Sequence, residues 1–225
     1  KDVVDKLHKH DIYVIARQQV FQDPALAEKK HEWAIKSKKG GIWRDYNDLA
    51  WLDPTHEEIW EYNVDLAKEA IRIGFDEINF DYVRFPSDGN MKLAKYSEAN
   101  PNKVQVMEEF YSFLSKKLSD QPVYISLDFF GLVMERHDGM TIGQKIGSAV
   151  DEVDYISPMM YPSHYPQGHM GLANPAQHPG KVIENGMKQG APLFENKKAE
   201  VRPWIQAFNI GAVYDDEKMR AQIDA

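Results

Sequence analysis

Short apolar runs alternate with amphipathic stretches along the chain, and this alternation predicts strands that are each followed by a helix. The runs are apolar on both faces, as expected when helices cover one side of a strand and a barrel interior lies on the other. Strands separated by helices pair in parallel through right-handed crossovers. The predicted strands lie at residues 11–17, 77–85, 123–128, 154–161 and 201–208.

The stretches between these runs have the spacing of helices. Residues 54–73 and 104–118 place apolar positions on one helical face, and the first of them has Asp53 as an N-cap and Gly74 as a stop. Residues 141–150 and 181–189 predict two shorter helices. The predicted fold class is therefore α/β, of the (β/α)8 TIM-barrel type, although five strands do not close an eight-stranded barrel.

The two ends of the chain resemble parts of helices. Residues 3–10 resemble the tail of one helix, and residues 215–225 resemble the start of another. Complete barrels of this type have about 250 residues. We therefore expect residues 1–225 to form a single (β/α)-barrel domain that lacks units at both ends. Open strand edges would then favour self-association or pairing with missing strands.

Composition and charge narrow the classes of function. The chain has a net charge of −8 with scattered basic residues, which argues against a nucleic-acid or anionic-membrane partner and leaves a neutral substrate open. No apolar run approaches the roughly 20 residues of a membrane span. Cysteine is absent, which excludes disulfides and thiolate chemistry. Neither a G-x-G-x-x-G nor a P-loop pattern is present, and no cofactor is expected.

Alternation along the predicted strands selects the side chains that point into the barrel. On the second strand Asn79 and Asp81 point inward, because the apolar residues between them face the helices. On the third strand Asp128 is the inward residue at the carboxyl end. The chemistry of such barrels lies at this end. The same parity places three more polar side chains there: Arg17, Tyr161 and Gln206.

Asp81 and Asp128 form a pair of carboxylates on adjacent strand ends, which is the arrangement that glycoside hydrolysis requires. One carboxylate stabilises or attacks the sugar carbon and the other protonates the leaving oxygen, across about 5 Å in retaining and roughly 6.5–9.5 Å in inverting enzymes. Arg17 and Arg84 favour an ionised Asp81, which leaves Asp128 as the acid. The alternative role of a strand-end aspartate is to cap the following helix.

Aromatic and histidine side chains in the loops are candidates for substrate contact. Trp43 and Trp51 lie in the long loop after the first strand, where indole rings can complement the apolar faces of sugars. Packing of this loop against the barrel is the alternative. His164, just after the fourth strand, is a further candidate for substrate binding. The spacing of His164, His169 and His178 is not typical of a metal site, and no metal is expected.

Several runs along nearly the whole chain resemble one protein family. They are G-F-D-E-I-N-F-D-Y-V-R-F-P-S-D-G (74–89), I-A-R-Q-Q-V-F-Q-D-P (15–24), W-L-D-P (51–54), S-P-M-M-Y-P-S-H-Y (157–165) and R-P-W-I-Q-A-F (202–208). The family is catalogued as "putative glycosyl hydrolase domain", of unknown function. This resemblance implies a TIM barrel with about two strands missing before Lys1 and one after Ala225. It also implies a bacterial protein that is extracellular or in the cell envelope.

The first of these runs is distantly similar to the fourth-strand signature of the α-amylase-type barrels, G-F-R-x-D. This similarity implies that Asp81 takes the position of the nucleophile. Two positions depart from that pattern. Asn79 stands where those barrels have an arginine, and Asp128 would have to replace their glutamate acid. Both departures weaken the transfer of mechanism.

The predicted function is hydrolysis of glycosidic bonds in a bacterial or environmental polysaccharide, by a retaining two-carboxylate mechanism. Carbohydrate is the predicted partner. The alternative is a catalytically inactive barrel that binds carbohydrate or the cell wall. A metal-dependent barrel hydrolase is disfavoured, because the chain shows no paired metal-ligand pattern. The geometry of Asp81 and Asp128 discriminates between the first two hypotheses.

Overall fold

A computed structural model describes all 225 residues of the chain. Its strands are β1 (Ile15–Gln19), β2 (Lys36–Ser37), β3 (Glu77–Asp81), β4 (Ala94–Lys95), β5 (Tyr124–Phe130), β6 (Tyr155–Met159) and β7 (Glu200–Val201). Its α-helices are α1 (Asp2–His8), α2 (Pro24–Lys29), α3 (Glu57–Ile73), α4 (Lys103–Leu118), α5 (Pro179–Gly190) and α6 (Asp216–Ile223). None of the helices is long and apolar enough to cross a membrane.

Five strands form one parallel sheet in the order β1, β3, β5, β6, β7. β1 and β7 each pair with a single neighbour, so the sheet has two free edges and the barrel is open. The prediction of an incomplete barrel with five parallel strands is confirmed. β2 and β4, which were not predicted, form a separate antiparallel pair between the loops that follow β1 and β3.

The ends of two strands differ from the prediction for reasons of backbone geometry. β3 stops at Asp81 because Tyr82 has a φ of 54°, in the left-handed region that is incompatible with a strand. β7 has only two residues, since Pro158 of β6 has no N–H to donate to the backbone oxygen of Arg202, although Arg202 and Trp204 still donate to β6 at 2.9 Å. The chain beyond Pro203 stays beside β6 through one bridge, between Met159 and Trp204.

The helices pack on the sheet as predicted, with local corrections. Gly74 ends α3 with a φ of 111°, a conformation that favours glycine. Asp53 does not cap α3, because the helix begins only at Glu57 with His56 as its N-cap, and the Asp53 carboxylate accepts the Thr55 and Ser97 N–H groups at 3.1 and 2.6 Å. Residues 141–150 contain only a short 3-10 helix, Ile146–Ser148, instead of the predicted amphipathic helix. The buried face of α3 consists of Ile59, Trp60, Asn63, Val64 and Ala67. Each fully buried aliphatic side chain contributes about 1.5–3 kcal/mol relative to exposure.

The polar residues of β3 face the barrel interior, as the alternation predicts. Asn79 donates a hydrogen bond to the Ser126 hydroxyl of β5 at 2.9 Å, across the inner face of the sheet. Ile78 and Phe80, which alternate with it, are fully buried on the opposite face. The polar side chains of the sheet therefore lie on its inner face, and the apolar ones lie on the face that the helices cover.

Candidate active site at the carboxyl ends of the strands

A cavity of about 410 Å³ opens at the carboxyl ends of β3, β5 and β6. Its wall includes the last residue of each of these strands, Asp81, Phe130 and Met159. Its volume falls in the usual range of small-molecule sites, roughly 300–1,000 Å³. The predicted site residues that line it are Arg17, Asp81, Arg84, Tyr161 and His164.

Arg17 of β1 joins the two predicted carboxylates. Its Nη2 donates to Oδ2 of Asp81 at 2.5 Å, and its Nε donates to Oδ2 of Asp128 at 3.2 Å. Because both nitrogens belong to one rigid guanidinium, the two accepting oxygens lie within about 8 Å of each other. The structure therefore brings Asp81 and Asp128 together at one end of the sheet.

Asp128 lies beneath the cavity and not on its wall. Its side chain is fully buried. Its Oδ1 accepts hydrogen bonds from Nε1 of Trp204 at 2.7 Å and from Nδ2 of Asn79 at 3.0 Å. Together with Arg17, these donors hold the carboxylate in one orientation, and they satisfy a buried charge that would otherwise be costly.

Asp81 is the carboxyl group that reaches the cavity. Burial raises the pKa of Asp81 above its usual value, and the charge of Asp128 raises it further, while Arg17 offsets part of the rise. Burial and the charge of Asp128 thus outweigh Arg17 and Arg84 in the pKa of Asp81, and which of the two carboxyl groups is the acid stays a prediction. The Tyr82 N–H donates to Oδ1 of Asp81 at 2.7 Å. The left-handed backbone of Tyr82, which costs of order 1–3 kcal/mol, thus fixes the carboxyl group at the strand end.

Arg84 is a buried cation beside Asp81. Its guanidinium carbon lies 4.5 Å from the ring centre of Phe130, 5.0 Å from that of Trp51 and 5.3 Å from that of Tyr82. Its Nη1 donates to the backbone oxygen of Phe85 at 3.1 Å and to the Ser87 hydroxyl at 3.2 Å. Aromatic faces attract a guanidinium, so the surrounding rings hold Arg84 against the cavity.

Tyr161 and His164 form an aromatic edge of the cavity and pack against Phe208. The Tyr161 ring lies 5.4 Å from that of His164 and 5.3 Å from that of Phe208. Burial lowers the pKa of His164, which favours its neutral form at pH 7. Burial and the charge of Asp128 raise the pKa of Tyr161, so its phenol keeps its proton. This edge therefore offers neutral hydrogen-bonding groups. No group of three or more histidine, aspartate or glutamate side chains is arranged to hold a metal ion.

The expectation that Trp43 or Trp51 rims the cavity is wrong. Both indoles are buried in the core formed by the loop after β1. Trp51 donates to Oδ2 of Asp45 at 3.0 Å, and Trp43 donates to the backbone oxygen of Asn90 at 3.0 Å. Both tryptophans therefore pack the loop against the barrel, which was the alternative to sugar contact. The Trp51 ring also contacts the Arg84 guanidinium.

Gln206 and Asn79 also lie off the cavity, contrary to the expectation that they bind substrate. Gln206 is fully buried, accepts the Ser163 N–H at 3.0 Å and donates to the backbone oxygen of Phe208 at 2.9 Å. It therefore ties together the segments that carry the aromatic edge and Phe208. The Asn79 amide positions Asp128 through the hydrogen bond from Nδ2 to Oδ1.

Trp204 and Tyr165 are site residues that the sequence analysis missed. Trp204 holds Asp128, and its parity is that of Gln206, which is the signal that could have identified it. Tyr165 lines the cavity, and its buried hydroxyl has no hydrogen-bond partner. It lies in an irregular loop, where alternation gives no guide to side-chain direction.

The chain is similar to a known protein family and to several solved structures. The model of a family described as "Putative glycosyl hydrolase domain" matches residues 1–225. None of the curated proteins matches the chain significantly. The crystal structure of a hypothetical protein from Ruminiclostridium thermocellum ATCC 27405 is 40% identical, with a TM-score of 0.52, over 56% of this chain and 64% of that one.

Two glycoside hydrolases share the fold at low identity. The PgaB (BpsB) glycoside hydrolase domain from Bordetella bronchiseptica is 13% identical, with a TM-score of 0.64, over 97% of this chain and 68% of that one. TtGalA, an α-galactosidase from Thermus thermophilus solved with p-nitrophenyl α-D-galactopyranoside, is 12% identical, with a TM-score of 0.61, over 98% and 43%. The chain thus has a TIM-barrel-type fold. It spans less than two thirds of the R. thermocellum protein and of the α-galactosidase.

Proposed function

Because the chain belongs to the putative glycosyl hydrolase domain family, we propose that it hydrolyses a glycosidic bond of a carbohydrate held in the cavity. Asp81 is the catalytic carboxyl group in this proposal. The observation that carries it is the position of Asp81 at the end of β3, on the cavity wall and bridged by Arg17 to a second carboxylate. A pair of carboxyl groups is what most glycoside hydrolases use.

We assign the general acid role to Asp81. A carboxyl group whose pKa is raised keeps its proton to higher pH, so it can protonate the leaving oxygen of the glycoside. Asp128 supplies the negative charge that helps to raise this pKa and that stabilises positive charge on the sugar. This assignment reverses the one expected from the sequence.

A retaining mechanism also requires that Asp128 reach the sugar carbon. Asp128 lies beneath the cavity, where Nε1 of Trp204 donates to its Oδ1. Proton NMR of the first product tests the mechanism, and the expected product keeps its anomeric configuration. An inverted product would show that a water molecule, and not Asp128, attacks the sugar.

The substrate proposed is a bacterial or environmental polysaccharide, and a hydrolysis screen over a broad glycan library tests the proposal. We expect new reducing ends with the wild-type protein and at least about a thousandfold less with Asp81→Asn, because this change removes a group that acts in the transition state. Asp65→Asn, an exposed position on α3, is the matched control and should keep full activity. Equal activity of the wild type and Asp81→Asn would overturn the role of Asp81.

A catalytically inactive carbohydrate-binding barrel is the second candidate function. The observation that favours it is that Asp128 does not line the cavity, which leaves Asp81 as the single carboxyl group facing a bound sugar. Glycan binding by both the wild type and Asp81→Asn, with no cleavage of any glycan by the wild type, would establish this function and exclude the hydrolase.

A further inference from the structure

Arg84 differs from every other arginine of the chain in having no carboxylate partner. Each of the others has a carboxylate oxygen within 4.0 Å. Arg84 is also 6% exposed. Its hydrogen bonds within the protein use Nη1, so its Nε and Nη2 donate to no protein atom. The part of Arg84 that is not buried belongs to the wall of the cavity.

An arginine in this position needs compensation for its charge. The guanidinium stays protonated under all ordinary conditions, and burying a charge that no carboxylate contacts directly is unfavourable. Cation–π contacts with Trp51, Tyr82 and Phe130 offset part of this cost and leave Nε and Nη2 without a protein acceptor. An anionic ligand in the cavity would satisfy both the charge and the donors.

The shape of the free donors indicates which anion fits. Nε and Nη2 lie on one edge of a planar guanidinium, and this edge matches the two coplanar oxygens of a carboxylate in a bidentate pair. Tyr165 lines the same cavity, and its buried hydroxyl is a second polar group there that has no protein partner. Apolar side chains, among them Leu132 and Met140, complete the wall and suit the C–H face of a sugar ring.

We propose that the cavity binds an acidic sugar, and that Arg84 pairs with the carboxylate of a uronic acid residue in the glycan. The proposal rests on the proposed function for the identity of the ligand as a sugar. It names the substrate class of the same site: a polysaccharide that contains uronic acids. Arg84 is a specificity-determining residue in this assignment, because a neutral sugar leaves its charge and its donors unpaired.

Binding measurements that need no turnover test the proposal. Dissociation constants are measured by NMR titration at pH 7 with glucuronic acid and galacturonic acid, and with glucose and galactose as the neutral counterparts. We expect the acidic sugars to bind at least tenfold more tightly to the wild type. Arg84→Gln should abolish this preference, and Arg84→Lys, which keeps the charge but not the bidentate edge, should retain a fraction of it. Arg72→Gln, at an exposed ion pair on α3, is the matched control and should keep the full preference.

The outcomes separate this proposal from the proposed hydrolysis. Equal affinity for acidic and neutral sugars, or a preference that survives Arg84→Gln, overturns it even when glycans are cleaved. Preference for uronic acids without any cleavage supports it and contradicts the hydrolase. Tighter binding of glucose 6-sulfate than of glucuronic acid overturns the carboxylate assignment in favour of a sulfated glycan. Arg84→Lys keeps the test decisive where Arg84→Gln does not fold.

Discussion

At the amino end of β3, Glu77 is buried and bonded to Arg202, whereas at the carboxyl end Asp81 is buried and bonded to Arg17. Glu77 accepts hydrogen bonds from both terminal nitrogens of Arg202, and the bond from Nη1 is 3.0 Å long. It also accepts the hydroxyls of Ser126 at 2.5 Å and of Tyr13 at 3.0 Å. At the amino end the Arg202 guanidinium therefore pairs with one carboxylate. At the carboxyl end the Arg17 guanidinium is shared between two carboxylates, those of Asp81 and Asp128.

The pKa shifts of the two carboxyl groups have opposite signs. Burial acts to raise both, but the hydrogen bonds from Arg202 and Ser126 outweigh it at Glu77, and the pKa of Glu77 is lowered. At Asp81 burial and the charge of Asp128 prevail, and the pKa is raised. The same types of group thus give a stabilising ion pair at one end and a carboxyl group with a raised pKa at the other. A carboxyl group with a perturbed pKa in a cavity is typical of functional sites.

The largest expected effect that separates the two ends is on stability. Glu77→Gln should lower the free energy of unfolding by about 3 kcal/mol, at the low end for breaking a buried ion pair, because the Arg202 side chain is 39% exposed. Activity per folded molecule should fall by less than tenfold, since Glu77 does not line the cavity. Urea unfolding and kinetics on the purified variant measure both.

Glu69→Gln is the matched control for this change, because Glu69 pairs with Arg72 on the exposed surface of α3. Exposed ion pairs contribute about 0–1 kcal/mol, and the control should stay within that range. A Glu77 variant that keeps full stability but loses its activity would break the comparison, and it would place the amino end in the catalytic machinery.

A smaller effect is expected at Trp204, which acts on the carboxyl end through Asp128. Trp204→Phe removes the N–H that donates to Oδ1 of Asp128 at 2.7 Å and keeps an aromatic ring. A hydrogen bond to a charged group is worth about 1.5–3 kcal/mol, so kcat should fall by roughly tenfold or more. The pH at which activity is lost should also move, because the charge of Asp128 helps to set the pKa of Asp81. Trp33→Phe, in the loop after β1, should change neither; a lower kcat with an unmoved pH profile would make Trp204 merely structural.

The sequence predicted the part of this site that depends on strand alternation. Asn79, Asp81 and Asp128 point inward because side chains on a strand alternate between its faces, and this rule holds wherever the strand is regular. Their meeting with Arg17 follows from the parallel order β1, β3, β5. The end of β3 was placed too late, because a left-handed residue such as Tyr82 leaves no mark in the hydrophobic pattern.

The loops could not be predicted in the same way. Trp43 and Trp51 are as large and apolar as any residue that contacts sugars, and only the folded loop shows that their N–H groups are bonded to Asn90 and Asp45 inside it. The direction of the pKa shift of Asp81 could not be predicted from the sequence either. It depends on how deeply the carboxyl group is buried, which sequence spacing does not show.

The smallest expected effect is the dependence of stability on pH, and it has opposite signs at the two ends. A carboxyl group with a raised folded pKa destabilises the fold once it ionises. Stability is therefore lost as the pH rises from the usual value of Asp81, near 3.8, through its raised folded value. Asp81→Asn removes this loss, and it should raise the free energy of unfolding at pH 7 by about 0.5–2 kcal/mol, the range of single stabilising substitutions. The gain should shrink toward zero as the pH falls below 3.8.

Glu77 should show the reverse dependence, because its folded pKa is lowered. Its contribution is complete above its usual value of 4.5 and is lost as the pH falls through the lowered folded value. The difference between wild type and Glu77→Gln should therefore stay constant from pH 7 to about pH 5 and close at lower pH. Urea unfolding of the wild type and both variants at a series of pH values measures the two differences. An Asp81 variant that is less stable than the wild type at pH 7 would show that Arg17 stabilises Asp81 as fully as Arg202 stabilises Glu77, and the two ends would then not differ.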